Sequence, residues 1–454
     1  MSKVTPRTLS GFMELLPARQ VQFDLMVARL RETFSLYGFT PLDTPLLESS
    51  EVLLAKGGGD TEKQIYRFTK GESDLSLRFD LTVPLAKYVA QNAGQLVFPF
   101  RRFQIGKVYR GERAQRGRFR EFYQADIDII GDGELGIGND AEIPGIIYNA
   151  FNALGLRNFV IRVNNRKILT GYYEILGLSD KAQDVMRTVD KLDKIGADKV
   201  SALLTDELGV APEAAAQVLA LISHTGDPFD ALEQYAGRNA TFDLGVSELR
   251  AVTRDLAAFG VPEANFRVDL TIARGLDYYT GTVFETTLTA HPEIGSICSG
   301  GRYDDLAGYY TDRKLPGVGI SIGLTRLFFV LEDCGYLNDA VLTAPADVLV
   351  VPMTDDTSHA VQLATALRKL GVRAQIYSEN KKFKQKLAYA DRLGIPFVAL
   401  LGEDELAAGK VTIKDMRSGE QTTASAALLC EGIRDKLSGL KAAKPINDAK
   451  PIVD

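Results

Sequence analysis

Residues 104–130, QIGKVYRGERAQRGRFREFYQADIDII, form two alternating arms on either side of a basic centre. Alternation with a period of two places successive side chains on opposite faces of a strand. One face of the return arm carries Phe122, Gln124, Asp126 and Asp128, and the residues between them are largely apolar. The stretch therefore predicts a long β-hairpin with a basic tip. A solvated strand face would explain Asp126 alone. The basic tip beside these acids instead favours a site that binds an anion at one end and a cation at the other.

A second informative stretch, RGLDYYTG at 274–281, precedes the strand-like run 282–288. Glycine allows the backbone to approach a ligand closely, and adjacent tyrosines at the start of a strand place one hydroxyl on each side of it. A surface turn would not explain why Arg274, Tyr278 and Tyr279 occur together. We therefore interpret this stretch as part of a binding site.

Composition restricts the class of protein. At 454 residues the chain predicts two or three domains, and its 45% hydrophobic and 25% charged residues are typical of a globular protein in water. No apolar run approaches the roughly 18 residues that span a bilayer, and the start of the chain lacks the apolar core of a secretory signal. The widely spaced cysteines and histidines predict neither disulfides nor a protein-held metal. We expect a cytoplasmic protein without a membrane segment.

Charge is unevenly distributed along the chain. The net charge is −6, yet residues 101–120 contain eight basic residues and one acid. Nucleic-acid binding depends on where the charge lies, so the overall acidity does not exclude it.

Differences in composition and periodicity divide the chain into parts. Residues 165–262 contain Ala-, Leu- and Asp-rich stretches with helical spacing, which predict a helical insertion. Strand and helix signals alternate over 345–440, which predicts a separate α/β domain with a mainly parallel sheet. Residues 441–454 have little apolar content and are expected to be frayed.

No Gly-x-x-x-x-Gly-Lys-Ser/Thr is present, so a P-loop is excluded. Residues 317–323, GVGISIG, precede a helix but lack the third glycine spacing of a dinucleotide-binding fingerprint. We interpret them as a strand whose small residues leave room for a flat ligand, with Arg326 in the first turn of the following helix. Close packing of strand on helix is the alternative reason for these glycines.

Arginines suggest how a nucleotide could bind without a P-loop. Guanidinium groups bind phosphates and stack on aromatic rings. A purine between Phe122 and Arg326, with phosphates beside Arg110, Arg118 and Arg274, would form a nucleoside triphosphate site. Acids would then receive a positively charged or N–H-bearing substrate; the candidates are Asp80, Asp128 and Asp277.

These motifs resemble those of class II aminoacyl-tRNA synthetases, in particular the histidyl-tRNA synthetase family. Residues 110–112 with 118–122 match the second class II signature, and 317–326 are similar to the third. Pro45 stands where the first, dimer-forming signature has its proline, and the runs 274–279 and 299–304 are typical of the histidyl enzymes. Thr325 occupies a position where the family commonly has an acid.

The resemblance implies a fold class and a set of partners. It implies an α+β catalytic domain with an antiparallel sheet at 1–335, containing the insertion, and an anticodon-binding α/β domain at 345–440. It also implies a homodimer that activates L-histidine with ATP and passes the histidyl group to tRNA(His). Mg²⁺ would accompany ATP, held mostly by the phosphates.

Residue roles follow from the same resemblance. Those implied for histidine binding are Asp80, Leu81, Thr82, Arg110, Gln124, Asp128, Arg274, Tyr278 and Tyr279. Those implied for ATP binding are Arg110, Glu112, Arg118, Phe122, Arg274 and Arg326. Arg110 and Arg274 would be catalytic by gripping the α-phosphate. The hairpin tip, at Arg113, Gln115 and Arg116, would contact tRNA.

Three other functions share some of these features. A non-catalytic histidine-sensing regulatory paralogue would keep the fold but tend to lose the ATP-handling arginines and the terminal domain. A class II synthetase for another amino acid would lack the histidyl-type stretch at 274–281. A protein that only binds RNA would not need the acids and amide at 80, 124 and 128.

Overall fold

The computed structural model describes residues 3–55, 60–272, 278–441 and 443–447. They divide into two compact units, one of residues 3–14 and 27–336 and the other of 15–26 and 337–447. None of the described helices has the length and the apolar character needed to cross a membrane.

The first unit contains the strands of the expected catalytic domain. They are β1 (Thr40–Pro41), β2 (Leu47–Ser49), β3 (Arg67–Lys70), β4 (Ser73–Leu77), β5 (Phe100–Tyr109), β6 (Glu121–Ile130), β7 (Phe159–Asn165), β8 (Phe266–Val268), β9 (Thr282–Leu288), β10 (Ser296–Tyr303) and β11 (Gly317–Gly323). Eight strands of the described chain form one sheet in the order β1-β5-β6-β11-β10-β9-β7-β8, and β2-β4-β3 form a small separate sheet.

The α+β class is confirmed, and the sheet is antiparallel throughout its centre, from β5 to β7. Its outer strands β1 and β8 add parallel pairings, so the whole sheet is mixed. The predicted hairpin is the β5–β6 pair, in register from Phe100 opposite Ile130 to Tyr109 opposite Glu121.

Helices cover the sheet and fill the interval between β7 and β8. Chain order gives α1 (Pro17–Leu36), α2 (Ser50–Leu54), α3 (Asp60–Gln64), α4 (Thr82–Asn92), α5 (Gly138–Leu154), α6 (Arg166–Ile175), α7 (Ala182–Val189), α8 (Leu192–Ile195), α9 (Ala197–Ala202), α10 (Pro212–Ile222), α11 (Pro228–Glu233), α12 (Ala240–Ala258) and α13 (Leu324–Asp333). Helices α6 to α12 make up the insertion. Its α12 packs on α5 and α6, and α5 packs on β11.

The second unit has its own sheet and cores. Its strands are β12 (Val348–Pro352), β13 (Ala374–Ile376), β14 (Phe397–Leu401), β15 (Val411–Asp415) and β16 (Gln421–Ala424), in the order β13-β12-β14-β15-β16. Its further helices are α14 (Ser358–Lys369), α15 (Phe383–Arg392), α16 (Glu403–Ala407) and α17 (Ala426–Lys441). The pairings β13–β12 and β12–β14 are parallel, while β14–β15 and β15–β16 are antiparallel, so the sheet is mixed and not mainly parallel as predicted.

Part of the segment expected to be frayed is packed. Ile446 is 2% exposed and its backbone forms an antiparallel bridge with Leu337. Residues 442 and 448–454 lie outside the described part of the chain.

A buried ion pair joins the central sheet to α5. Arg302 on β10 donates from Nε to Asp140 Oδ1 at 3.0 Å and from Nη2 to Asp140 Oδ2 at 2.6 Å. Both side chains are almost completely buried. Removing one partner of such a pair leaves an uncompensated charge in a medium that solvates it poorly.

We expect Asp140→Asn to lower the free energy of unfolding by about 3–5 kcal/mol, because the buried Arg302 then keeps only the more distant Asp304, at 3.9 Å, as an acidic partner. The matched control is Glu142→Gln, also on α5. Glu142 pairs with Arg101 at 2.8 Å, but about a fifth of each side chain is exposed (22% and 20%). Denaturant unfolding of the two variants should differ by at least about 2 kcal/mol. Equal losses would contradict the structural role assigned to Arg302.

Candidate active site

A cleft of about 2080 Å³ opens on one face of the central sheet, and all the residues that line it belong to the first unit. The register of β5, β6 and β11 builds its floor. Gln124, Asp126 and Asp128 point to the same face of β6, and their partners on β11 are Gly323, Ser321 and Gly319. Because β6 is central and largely buried, this row of polar side chains is held in a fixed position.

The acid and hydroxyl predicted near residue 80 lie at the start of α4. Asp80 Oδ1 accepts the backbone N–H groups of Thr82 at 3.1 Å and Val83 at 2.9 Å. Burial raises the pKa of Asp80, and those hydrogen bonds together with Arg110 oppose the rise. Leu81 is buried, and its carbonyl oxygen accepts Nη2 of Arg102 at 3.3 Å. Asp80 and Thr82 both line the cleft.

Gln124 presents an acceptor to the cleft. Its Nε2 donates to Ser321 Oγ at 2.5 Å, while its buried Oε1 has no hydrogen-bond partner among the described residues. A buried amide oxygen without a partner is costly, and Gln124 lines the cleft. A donor on a ligand would satisfy it.

Asp128 is already oriented by two neighbours. Arg102 Nη2 lies 2.7 Å from its Oδ2, and the Tyr303 hydroxyl donates to its Oδ1 at 2.8 Å. Burial raises its pKa to about 6, against the lowering effect of Arg102. Each carboxylate oxygen has two lone pairs, so Asp128 keeps capacity for a ligand N–H.

The structure excludes the alternative that Asp126 lies on a solvated strand face. Asp126 is 1% exposed, and burial raises its pKa to about 7, so β6 does not present a solvated face there. Alternation alone does not reveal the burial of Asp126.

The two tyrosines of the 274–281 stretch reach the cleft. The rings of Tyr278 and Tyr279 meet edge to face at 5.0 Å, and Tyr278 contacts Tyr303 in the same way at 5.9 Å. Burial raises the pKa of both tyrosines, so their hydroxyls stay protonated at neutral pH. Arg274 and Asp277 lie outside the described residues.

Arg110 follows β5 and lies between two aromatic rings. Its guanidinium carbon is 4.3 Å from the Phe79 ring centroid and 5.1 Å from that of Phe122, and its Nε donates to Phe79 O at 3.2 Å. Asp80 and Glu112 oppose the lowering of its pKa by burial. The stacked rings fix the plane of the guanidinium.

The other predicted ATP residues gather at the same cleft. Arg118 Nη1 lies 3.7 Å from Glu112 Oε2. Burial lowers the pKa of Arg326, and the positive charge of the nearby Arg118 lowers it further. Arg326 donates to the carbonyl oxygens of Ser296, at 3.3 Å, and Ile294. Arg326, Arg118 and Phe122 all line the cleft. This end of the cleft is therefore suited to anions and a flat ring.

The hairpin tip closes in a tight turn, in which Gln115 and Arg118 exchange backbone hydrogen bonds around Gly117. Gln115 and Arg116 line the cleft, and Arg116 pairs with Asp333 at the end of α13. Arg113 is exposed and is not among the lining residues.

The glycines of β11 have a different role from the predicted one at two positions. A Cβ at Gly319 would collide with the Asp128 carboxylate, and one at Gly317 would collide with the Tyr303 ring. The room there holds the side chains of the site rather than a ligand. Only at Gly323 would a Cβ find space, with Arg326 Cβ as its near neighbour at 3.8 Å.

Sequence reasoning missed Arg102, Tyr303 and Ser321 as parts of the site. Arg102 and Ser321 were hidden because their places depend on strand register: Arg102 pairs with Asp128, and Ser321 with Asp126. Tyr303 lies in the 299–304 run, which resembles the histidyl enzymes but to which the sequence assigned no role. Thr325 also has a definite position, since its hydroxyl accepts the backbone N–H of Tyr123 at 2.8 Å and so ties α13 to β6.

Within the described ranges, no three His, Cys, Asp or Glu side chains are grouped as a metal site would require.

Comparison with known proteins gives the family. Residues 11–327 match the family described as Histidyl-tRNA synthetase, and 347–436 match the Anticodon binding domain. A protein named Histidine--tRNA ligase from Clostridium tetani is 52% identical over 93% of this chain and 96% of its own length. One of the same name from Xanthomonas axonopodis pv. citri is 46% identical over 92% of this chain and 93% of its own length.

Solved structures agree. The crystal structure of histidyl-tRNA synthetase from Nostoc sp. PCC 7120 has a TM-score of 0.87 and 40% identity, covering 96% of this chain and 100% of that one. A Bacillus halodurans structure, titled as an ATP phosphoribosyltransferase regulatory subunit/histidyl-tRNA synthetase, has a TM-score of 0.71 at 22% identity, covering 86% of this chain and 97% of its own. At that identity the likeness concerns the fold alone. The chain belongs to the histidyl-tRNA synthetase family.

Proposed function

We propose that this chain is a histidine–tRNA ligase, which activates L-histidine with ATP to form histidyl-adenylate and pyrophosphate and then transfers the histidyl group to tRNA(His). Family membership supports the activity. The observation that carries the proposal is that one cleft contains both a buried acid–amide set and a group of arginines with aromatic rings. Such a cleft suits an amino acid at one end and a nucleotide at the other.

Histidine would bind over the floor of the cleft. Its α-ammonium group would donate to Asp80 and to the free Oε1 of Gln124, with Thr82 beside them. Its imidazole would lie between Asp128 and Tyr279, since the neutral ring offers one donor and one acceptor. Tyr278 would pack alongside. An apolar side chain there would leave buried polar groups unpaired, which gives discrimination of roughly 10⁴–10⁵-fold without editing.

ATP would bind at the arginine end as its Mg²⁺ complex, with the metal held mostly by phosphates. Adenine would lie between Phe122 and Arg326, and Arg118, with Glu112, would serve the outer phosphates. Arg110 would contact the α-phosphate, and the family resemblance implies the same for Arg274. The histidine carboxylate then attacks the α-phosphorus, and the bond to pyrophosphate breaks. Positioning and stabilisation of the developing negative charge would supply the rate.

Transfer to tRNA would use the exposed surface at the mouth of the cleft. The tip residues Arg113, Gln115 and Arg116 would meet the acceptor end, and their phosphate contacts should weaken as salt rises. The unit that matches the anticodon-binding family would bind the anticodon. We also propose a cytoplasmic homodimer, as the family resemblance implies; sedimentation distinguishes the mass of one chain from that of two.

ATP–pyrophosphate exchange across all twenty amino acids tests the function. We expect exchange with histidine and none above background with the others. Exchange with another amino acid would indicate a different synthetase. No exchange, with histidine still bound, would favour the regulatory alternative. Retention of Arg110, Arg118 and Arg326 around one cleft makes us favour the enzyme.

A further inference from the structure

Ser321 connects two side chains whose arrangement the reaction alone does not explain. It faces Asp126 directly in the register of β11 and β6. Its oxygen accepts Nε2 of Gln124 at 2.5 Å. Asp126 is almost completely buried, and its Oδ1 has no hydrogen-bond partner among the described residues. Asp126 does not line the cleft, so it would act through its neighbours.

We propose that Ser321 and Asp126 are positioning residues, which hold the side-chain amide of Gln124 with its oxygen toward the substrate α-ammonium group. The inference rests on the proposed function, because it needs an amino acid whose α-ammonium group lies at Gln124. An amide fixed the other way would present an NH₂ group to a cation and would weaken binding.

Proton counting gives the direction of the chain of hydrogen bonds. A serine hydroxyl has one proton to donate, and an ionised carboxylate only accepts. While Asp126 is ionised, the hydroxyl of Ser321, which faces it across the strand pair, would donate to it, and the Ser321 oxygen would be left to accept from Gln124 Nε2. The amide oxygen of Gln124 is then the atom that remains for the substrate. A protonated Asp126 can instead donate to Ser321, which frees the serine proton for Gln124 and allows the amide to reverse.

The ionisation of Asp126 falls within an accessible pH range. Burial is the main effect and raises its pKa to about 7. The negative charges of Asp128 and Asp80 also raise it, whereas Arg102 and Ser321 lower it. The other ionisable groups with an electrostatic effect at this position are Arg78, Arg110, Tyr279 and Cys298. Asp128, with a pKa raised to about 6, titrates in the same range. Each variant is therefore compared with the parent protein at the same pH, so that the protonation of Asp128 enters both measurements.

The test measures KM for histidine, KM for ATP and kcat in ATP–pyrophosphate exchange. At pH 8, Ser321→Ala and Asp126→Asn should each raise KM for histidine about five- to tenfold, with kcat and KM for ATP within about twofold. Ser321→Thr keeps the hydroxyl and should restore most of the affinity. At pH 6 the effect of Asp126→Asn should fall to about twofold or less, because Asp126 is then mostly protonated in the parent protein as well.

The control and the ligand series separate positioning from folding. Ser76→Ala removes a buried serine that hydrogen-bonds Ser50 at 2.8 Å and does not line the cleft, so KM for histidine should not change. In calorimetry, Ser321→Ala should weaken binding of histidinol, which has the amine, and leave 3-(imidazol-4-yl)propionate, which lacks it, unaffected.

Three outcomes would overturn the inference. An unchanged KM for histidine in both variants is one, and equal losses for the two calorimetric ligands is another. A third is an Asp126→Asn effect that is the same at pH 6 and pH 8. If the parent protein exchanges with histidine, these results remove only the positioning roles of Ser321 and Asp126. If the parent protein does not exchange with histidine, the proposed function and the inference fail together.

Discussion

Arg110→Ala is expected to lower ATP–pyrophosphate exchange with histidine by about 10²–10³-fold, because a preorganised cation is lost where negative charge grows on the α-phosphate. The Phe79 and Phe122 rings hold the guanidinium in place before ATP arrives. No reorganisation is then needed during the reaction. Lysine offers a point charge without the planar fork, so Arg110→Lys should recover only a small part of the activity.

The control for Arg110 is Arg254→Ala. Arg254 is 75% exposed on α12 and does not line the cleft, so exchange should stay within about twofold of the parent. Thermal unfolding of Arg110→Ala establishes that the protein is folded. A folded Arg110→Ala protein that loses less than about tenfold in exchange would contradict the role assigned to this arginine.

Asp128→Asn is expected to reduce kcat/KM for histidine by about 10²–10³-fold while the dissociation constant of ATP changes less than about threefold. The carboxylate that we propose accepts an imidazole N–H becomes an amide beside Arg102, so the site loses a negative charge and one hydrogen-bond acceptor. Asp128→Ala should show the same separation with a larger loss of stability, because Arg102 and the Tyr303 hydroxyl then lose a hydrogen-bond acceptor as well as the negative charge.

Exchange kinetics and an ATP binding isotherm measure the two effects. The dependence on pH gives a second readout. Burial raises the pKa of Asp128 to about 6, so the ionised form that the proposed role requires is lost as pH falls through 6. The penalty of Asp128→Asn should therefore be larger at pH 8 than at pH 5.5. Equal losses for histidine and ATP would assign Asp128 to the structure of the cleft instead of to recognition.

The sequence predicted those elements whose pattern is local. Alternation along 104–130 was sufficient for the β5–β6 hairpin, and the glycine-rich run before Arg326 was correctly interpreted as a strand followed by a helix. The alternating signals after residue 345 predicted most of the helices and strands that follow it in the second unit, though not α16, because the pattern of each element is local.

Features that depend on strand register were not predictable. Arg102 and Asp128 are 26 positions apart, and only the pairing of β5 with β6 places them together. Asp126 shows the same limit, since its burial is set by what covers the sheet. The room at Gly317 and Gly319 is likewise used by Tyr303 and Asp128, which come from other strands.

A crystal structure with a non-hydrolysable histidyl-adenylate analogue tests most directly whether one cleft binds both the histidyl group and the nucleotide. It should place the analogue's α-ammonium group within hydrogen-bonding distance, about 3 Å, of Asp80 and Gln124 Oε1. The imidazole should lie beside Asp128 and Tyr279, with adenine between Phe122 and Arg326. An analogue whose imidazole or adenine occupies a different surface, with those side chains left uncontacted, would contradict the account.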